Sequence, residues 1–149
     1  MITFELSLFI DRPRDDVFAW WVDPSNLPRW QSGVVRVDWE GGPVQKGSRY
    51  TVVRKALGMT QEMRTTLVQL EPGVRVVEKG RGGPATNTVT TTFSDENGGT
   101  RMQTKVEVDL GGVLGRLGDK LAAGKVRKQA EGDQKKLKQV LEADLPSVL

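Results

Sequence analysis

The sequence predicts an α+β domain over residues 1–149: a curved seven-stranded antiparallel sheet around a long C-terminal helix, with two short helices after the first strand. Three observations predict it. A two-residue alternation at the N-terminus gives way to helical spacing after Asp11. From Val34 to Leu110, runs rich in Val and Thr are separated by glycine-containing turns. The chain then closes in a helical pattern with one apolar face, from about 122 to 142.

Phe4, Leu6, Leu8 and Ile10 alternate with Thr3, Glu5 and Ser7, so the first segment reads as a half-buried strand with Phe9 outward. Asp11 is the expected cap of a helix whose first turn holds Pro13, Asp15 and Asp16, where proline and acids suit unpaired amides. Val17, Phe18 and Trp21 form its apolar face. Asp23-Pro24 ends it, and Pro24 to Trp30 reads as a second short helical turn. Six strands are then expected at 34–39, 48–56, 60–70, 74–79, 86–94 and 100–110, with Gly80 to Pro84 as one of the turns. Their short connections make the sheet antiparallel. In the last strand Met102, Thr104, Val106, Val108 and Leu110 alternate with polar residues, so one face is covered and the other wet.

In the C-terminal segment, taking about 100° per residue, Ala123, Val126, Ala130, Leu137, Val140 and Leu141 share one direction. Leu114, Leu117 and Leu121 lie nearly opposite. With Gly115, Gly118 and Gly124 close by, a break or kink is expected near 113–121, before the long helix.

Composition excludes much chemistry. The chain has no cysteine and no histidine, which removes disulfides, thiolate metal sites, cysteine nucleophiles and the commonest general base. No metal and no cofactor is expected. Charge is balanced over residues 1–112, so the net charge of +3 arises in the last segment. There Lys125, Arg127, Lys128, Lys135, Lys136 and Lys138 read as the solvated face of an amphipathic helix. At 6% aromatics, with none among these basic residues, no base-stacking platform is visible and no nucleic acid is expected. Met1 to Ile10 has neither a basic leader nor an apolar run long enough for a signal segment, and no run spans a bilayer. A cytoplasmic protein without stable membrane association is the expectation.

Seven antiparallel strands twist and curl, and their concave apolar face must be covered. The long helix is the element available, and it offers small residues: Ala122, Ala123, Gly124 and Ala130. Small side chains opposite a curved sheet leave a cavity. Its expected walls are Met63, Thr65, Leu67, Asn87, Val89, Thr91, Phe93, Met102, Thr104 and Val106, with Ala123, Val126 and Ala130 from the helix. Apolar bulk with a few orienting polar groups is what a small-molecule site requires. Trp21 is expected in the core and Trp30 near the entrance, each a candidate ligand contact; Trp20 and Trp39 are expected to be partly exposed. Tyr50, Arg54, Glu78 and Asp133 are the ionisable residues whose phase could point inward, and the cost of an unpaired buried charge places them at the surface or rim. In an enzyme they would be the catalytic candidates: Glu78, Asp133 or Tyr50 as acid or base, Arg54 as stabiliser of an enolate.

The stretch from Phe4 to Trp39, containing "IDRPRDDVFAWWVDPSNLPRWQSGVVRV", resembles the SRPBCC or START-like superfamily of helix-grip domains. Within it the chain looks most similar to the small bacterial proteins of the polyketide cyclase/dehydrase and lipid transport set. Asp11 with Pro13 and Val17, Asp23-Pro24, Leu27-Pro28-Arg29-Trp30, Leu67 to Pro72, Gly98-Gly99-Thr100 and Leu137-Lys138 carry the resemblance, in order, over essentially the whole chain. It implies a carrier or sensor of a small hydrophobic ligand, such as a lipid, a polyketide or an aromatic compound. The alternative it implies is a cofactor-free polyketide cyclase, aromatase or dehydrase acting in the same cavity.

Overall fold

The alternating N-terminal segment is strand β1 (Ile2–Ile10), and the period change after Asp11 is helix α1 (Arg14–Val22) followed by a 3-10 turn (Pro24–Arg29). The meander that follows comprises β2 (Val34–Asp38), β3 (Arg49–Ala56), β4 (Met59–Glu71), β5 (Arg75–Gly82), β6 (Ala85–Glu96) and β7 (Gly99–Asp109), and α2 (Gly115–Asp144) completes the order. The computed structural model describes residues 1–56, 58–112 and 115–147. All seven strands form one antiparallel sheet in the order β1-β7-β6-β5-β4-β3-β2, with bulges in β2 and β4. This is the helix-grip architecture: a curved sheet holding one long helix.

Three local expectations are corrected. Asp11 does not cap α1. The helix begins after Pro13, which has extended dihedrals and makes no side-chain cap bond, so Asp15 and Asp16 supply the negative charge its first turn favours. Gly80 lies inside β5, paired with Thr65 on one side and Asn87 on the other. A Cβ there would stand 2.5 Å from Asn87 Oδ1 and 2.9 Å from Met63 Cγ, so this glycine serves close side-chain approach; the turn itself comes at Gly83, with φ +58°. Finally, α2 is one helix of 30 residues without the expected break at 115–121. A glycine costs about 1 kcal/mol in a helix but leaves the hydrogen-bond ladder intact, and Leu121 simply lies exposed on the outer face. Leu114 and the side chain of Leu117 fall outside the described residues.

Packing seals α2 to the sheet at its C-terminal end. Leu137 and Leu141 are fully buried in a cluster with Ile10, Val17, Trp21, Val76, Phe93 and Met102. Phe18 and Trp21 meet the Phe93 ring edge-on, at 5.2 and 5.5 Å between centroids. A polar latch accompanies this packing. Arg12 donates to the carbonyls of Glu142 and of Leu145, the latter at 2.9 Å, and so caps the helix end. The Asp11 N–H reaches Glu142 Oε2 at 2.9 Å, and Lys138 Nζ donates to the same carboxylate at 2.8 Å and to the Phe9 carbonyl at 2.6 Å. Towards its N-terminus the helix is less covered: Ala122, Ala123, Val126 and Ala130 are half-buried. Gly124, expected to face the sheet, is exposed, and a Cβ on it would meet nothing within 4 Å. Among the described residues, no helix is long and apolar enough to cross a membrane.

Candidate ligand-binding site

Strand register determines which side chains share the concave face. Leu67, Glu78, Val89, Val106 and Phe4 form one row across β4, β5, β6, β7 and β1. The adjacent row on the same face is Tyr50, Thr65, Gly80, Asn87, Val108 and Ile2. On the other side, Val76, Thr91, Thr104 and Leu6 form a third. The register thus brings the expected wall residues Met63, Thr65, Leu67, Asn87, Val89, Thr91, Met102 and Thr104 onto one face.

They are not equally covered. Near the latch the face is packed shut: Thr91, Leu67, Met102 and Phe93 are 0–3% exposed, and the Thr91 and Thr104 hydroxyls lie 3.5 Å apart. Away from the latch the cover is mixed: Met63, Asn87, Val89, Val106 and Val108 are half-buried, while Ile2, Phe4, Tyr50, Thr65 and Gly80 on the same rows are buried. The half-buried helix residues Ala123, Val126 and Ala130 belong to the part of α2 N-terminal to the Leu137 seal. Trp21 is elsewhere, in the packed core against Phe93.

The ionisable residues depart from expectation. Tyr50 is buried, not at the rim, and its hydroxyl donates to Glu78 Oε1. Glu78 is deep in the fold yet keeps some accessible surface. Burial raises its pKa above the ordinary carboxyl value, against the opposing effects of the Tyr50 hydrogen bond and the Arg54 charge. Burial, reinforced by Glu78, likewise holds the Tyr50 phenol well above its usual value. Arg54, in phase with Tyr50 and Val52 on β3, donates to Gln31 Oε1. Among the described residues no carboxylate comes within 4 Å of its guanidinium. Burial lowers its pKa, although the charges of Asp133, Tyr50 and Glu78 act in the other direction. An unpaired charge is costly in an apolar core. Here that cost is reduced because the carboxyl is biased towards its neutral form and holds a phenol, and the guanidinium keeps a neutral amide partner.

Asp133 alone sits where a rim residue should. It lines a surface cleft of about 460 Å³ between residues 28–32 and the helix positions Lys128, Gln129, Gly132 and Lys136. Its carboxylate accepts from the Ser32 N–H at 3.0 Å, while Gln129 Nε2 donates to Ser32 Oγ at 3.0 Å. Desolvation raises the Asp133 pKa despite the Ser32 hydrogen bonds and the Arg54 charge. Trp30 lines the same cleft and is 7% exposed. A second groove, of about 360 Å³, runs between Met1–Phe4 and the helix positions Asp119, Lys120, Ala123, Gly124 and Arg127. Among the described residues no three metal-ligating side chains converge.

Sequence reading missed Gln31, Ser32 and Gln129, polar loop and helix residues that join only once α2 is docked. Gly80 carried a usable signal, since it continues the period-two phase of Val76 and Glu78.

Comparison with known proteins agrees with this architecture. The family model described as polyketide cyclase / dehydrase and lipid transport matches residues 1–142. Protein CV1439 from Chromobacterium violaceum superposes with a TM-score of 0.76 at 19% identity, covering 95% of this chain and 98% of that one. Ara h 8.0201 gives a TM-score of 0.73 at 17% identity over 95% of this chain and 98% of its own. A conserved protein from Geobacillus kaustophilus gives 0.76 at 14% identity, over 95% and 96%. At these identities the likeness is one of fold. No curated protein sequence matches the chain.

Proposed function

Since the chain belongs to the polyketide cyclase / dehydrase and lipid transport family of SRPBCC-type domains, we propose that it binds a small hydrophobic ligand in the hollow between sheet and α2, as a carrier or sensor. The observation that carries this is the coverage gradient along the concave face. In the row Leu67–Glu78–Val89–Val106–Phe4 the two ends are buried and the three middle positions are half-buried, whereas Thr91 and Met102, nearer the latch, are sealed. A core packed throughout at native density would not leave apolar wall residues accessible on its inner face. Trp30 and the half-buried Ala123, Val126 and Ala130 complete the proposed enclosure, and Tyr50, Glu78 and Asn87 supply the polar groups that orient a ligand. Native mass spectrometry of protein purified without detergent tests this directly. A retained small apolar molecule is expected, and a chain that neither retains one nor binds a neutral apolar dye sinks the reading.

The Tyr50–Glu78 pair favours a second reading, a cofactor-free cyclase or dehydrase acting in the same hollow. A carboxyl biased towards protonation beside a phenol is a competent proton donor and acceptor. Under this reading Glu78→Gln slows conversion of the retained compound by more than about tenfold, about 1.4 kcal/mol of barrier, while leaving its affinity in place. If the wild type converts nothing, the binder reading stands alone.

A further inference from the structure

The outer face of the sheet gathers charges that lie far apart in the sequence. Side chains alternate between the two faces of a strand, so the positions between those of the concave rows point outward. Across β3, β4, β5 and β6 they form two adjacent rows: Thr51, Arg64, Arg81 and Thr86 in one, Arg49, Thr66, Lys79 and Thr88 in the other. Arg64 and Arg81 stand directly opposite each other, and Arg49 and Lys79 flank Thr66 in the next row, about 7 Å along the strands. All four basic side chains are exposed, and none forms an ion pair among the described residues. Glu62, two residues from Arg64 on the same face, borders the cluster. Like charges directly opposite on a sheet are destabilising, and a partner that presents closely spaced anions removes that cost.

The surroundings of the cluster select among polyanions. Thr51, Thr66, Thr86 and Thr88 place half-buried hydroxyl side chains between the charges. Val53 and Val77, on the same face, are 0% and 7% exposed, and the exposed large hydrophobics Met1, Val35, Met59, Val74 and Leu121 lie outside both rows. An interface with an acidic protein is centred on apolar side chains, and a bilayer surface is held by inserted apolar area as well as by charge. This face offers no such area. Arginine forks and threonine hydroxyls suit phosphate oxygens, and with no aromatic among them nothing here stacks on the bases of a single strand. We propose that the outer face of β3, β4 and β5 binds the phosphate backbone of a nucleic-acid duplex without reading its sequence. The expectation of no nucleic acid rests on α2 and on the scarcity of aromatics, and residue spacing does not show a cluster that only strand register assembles.

Fluorescence anisotropy of a fluorescein-labelled DNA duplex of arbitrary sequence, about 20 base pairs long and titrated with the full chain, tests this. Four phosphate contacts predict a log–log salt slope of about −3.6, hence about hundredfold weaker binding at about 200 mM salt than at about 50 mM. Arg64→Gln/Arg81→Gln should reduce that slope by about 1.8 and weaken binding at about 50 mM salt by about tenfold or more. Arg49→Gln/Lys79→Gln, in the next row, should do the same, so either variant decides if the other does not fold. Lys128→Gln/Lys136→Gln removes the same charge from α2 and should stay within about twofold of wild type. An equal loss in that variant would mean that net charge, not this face, holds the duplex, and would overturn the proposal. Absence of duplex binding at about 50 mM salt would overturn it too. Vesicles containing about 30% phosphatidylserine should not sediment the protein. Sedimentation that Arg64→Gln/Arg81→Gln abolishes would assign the face to a membrane instead. In each case the hydrophobic-ligand reading stands untouched, because the proposed hollow is on the opposite face of the sheet.

Discussion

At the scale of single residues, the inner face shows how a fold accommodates charges that a sequence argument places outside. Tyr50, Arg54 and Glu78 were legible by phase, since each alternates with neighbours of the opposite face. Their contacts were not legible. Tyr50 and Glu78 belong to β3 and β5, with β4 between them, and only the register of both interfaces brings the phenol to the carboxyl. The pair makes a testable statement about pH. Because the folded-state pKa of Glu78 is raised, folding favours its protonated form. That contribution is fully present below the ordinary carboxyl pKa and is lost as pH rises through the raised value. Urea unfolding between about pH 4 and about pH 8 should therefore show a decline that Glu78→Gln removes. In Tyr50→Phe the hydrogen bond that lowers the Glu78 pKa is gone, so the decline should extend to higher pH. A Glu78→Gln curve parallel to wild type would mean that this carboxyl ionises as freely in the fold as outside it.

At the scale of elements, strands were far more readable than the long helix. Alternation and glycine punctuation located every strand to within a few residues, because a half-covered sheet writes its two faces directly into the sequence. In α2 the apolar stripe was visible, but the two directions of its leucines suggested a break that the backbone does not have. The stripe docks through Leu137 and Leu141, which are fully buried, while the upstream positions Ala123, Val126 and Ala130 are only half-buried and so demand no continuous apolar seam. Gly124 gives a clean test of the unbroken helix. It is exposed, has no unusual φ, and a Cβ there meets nothing, so Gly124→Ala should stabilise the protein by about 0.5–1 kcal/mol in denaturant unfolding. Destabilisation would show that the helix is interrupted there after all.

The latch at the other end of α2 has its own signature. Burial alone would raise the Glu142 pKa, but the Asp11 N–H, Lys138 and Arg12 outweigh it and hold the carboxyl below its ordinary value. Its contribution is therefore present above the ordinary carboxyl pKa and is lost as pH falls through the lowered one. Arg12→Ala removes two hydrogen bonds to the last helix carbonyls and should cost about 1–2 kcal/mol near neutral pH. The same variant should flatten the acid limb of the stability profile, because a charge that holds the Glu142 pKa down is gone. An acid limb identical to wild type would show that the guanidinium acts on the helix end without influencing the carboxylate.

For the whole molecule, element order alone implied a curved sheet around one helix, since nothing else in the chain could cover seven strands. It did not reveal where along the grip the space lies, because that depends on how far the helix seal extends. The seal at Leu137 and Leu141 closes the face around Thr91, Thr104 and Met102, while Val89 and Asn87 are only half-buried, which is where the proposed hollow is placed. Two tryptophan substitutions distinguish these ends. Thr104→Trp inserts an indole where Thr91 already lies 3.5 Å away and should destabilise the fold by overpacking, by about 1–3 kcal/mol. Val89→Trp places the same group at an accessible wall position in the next register row. It should leave the unfolding midpoint near that of the wild type while abolishing binding of N-phenyl-1-naphthylamine. The two positions lie on one concave face, so side-chain type and orientation are controlled, and only the space above each differs. The opposite result, an unfolded Val89→Trp and a folded Thr104→Trp that no longer binds the dye, would move the hollow to the latch end. The coverage gradient would then no longer indicate where a ligand sits.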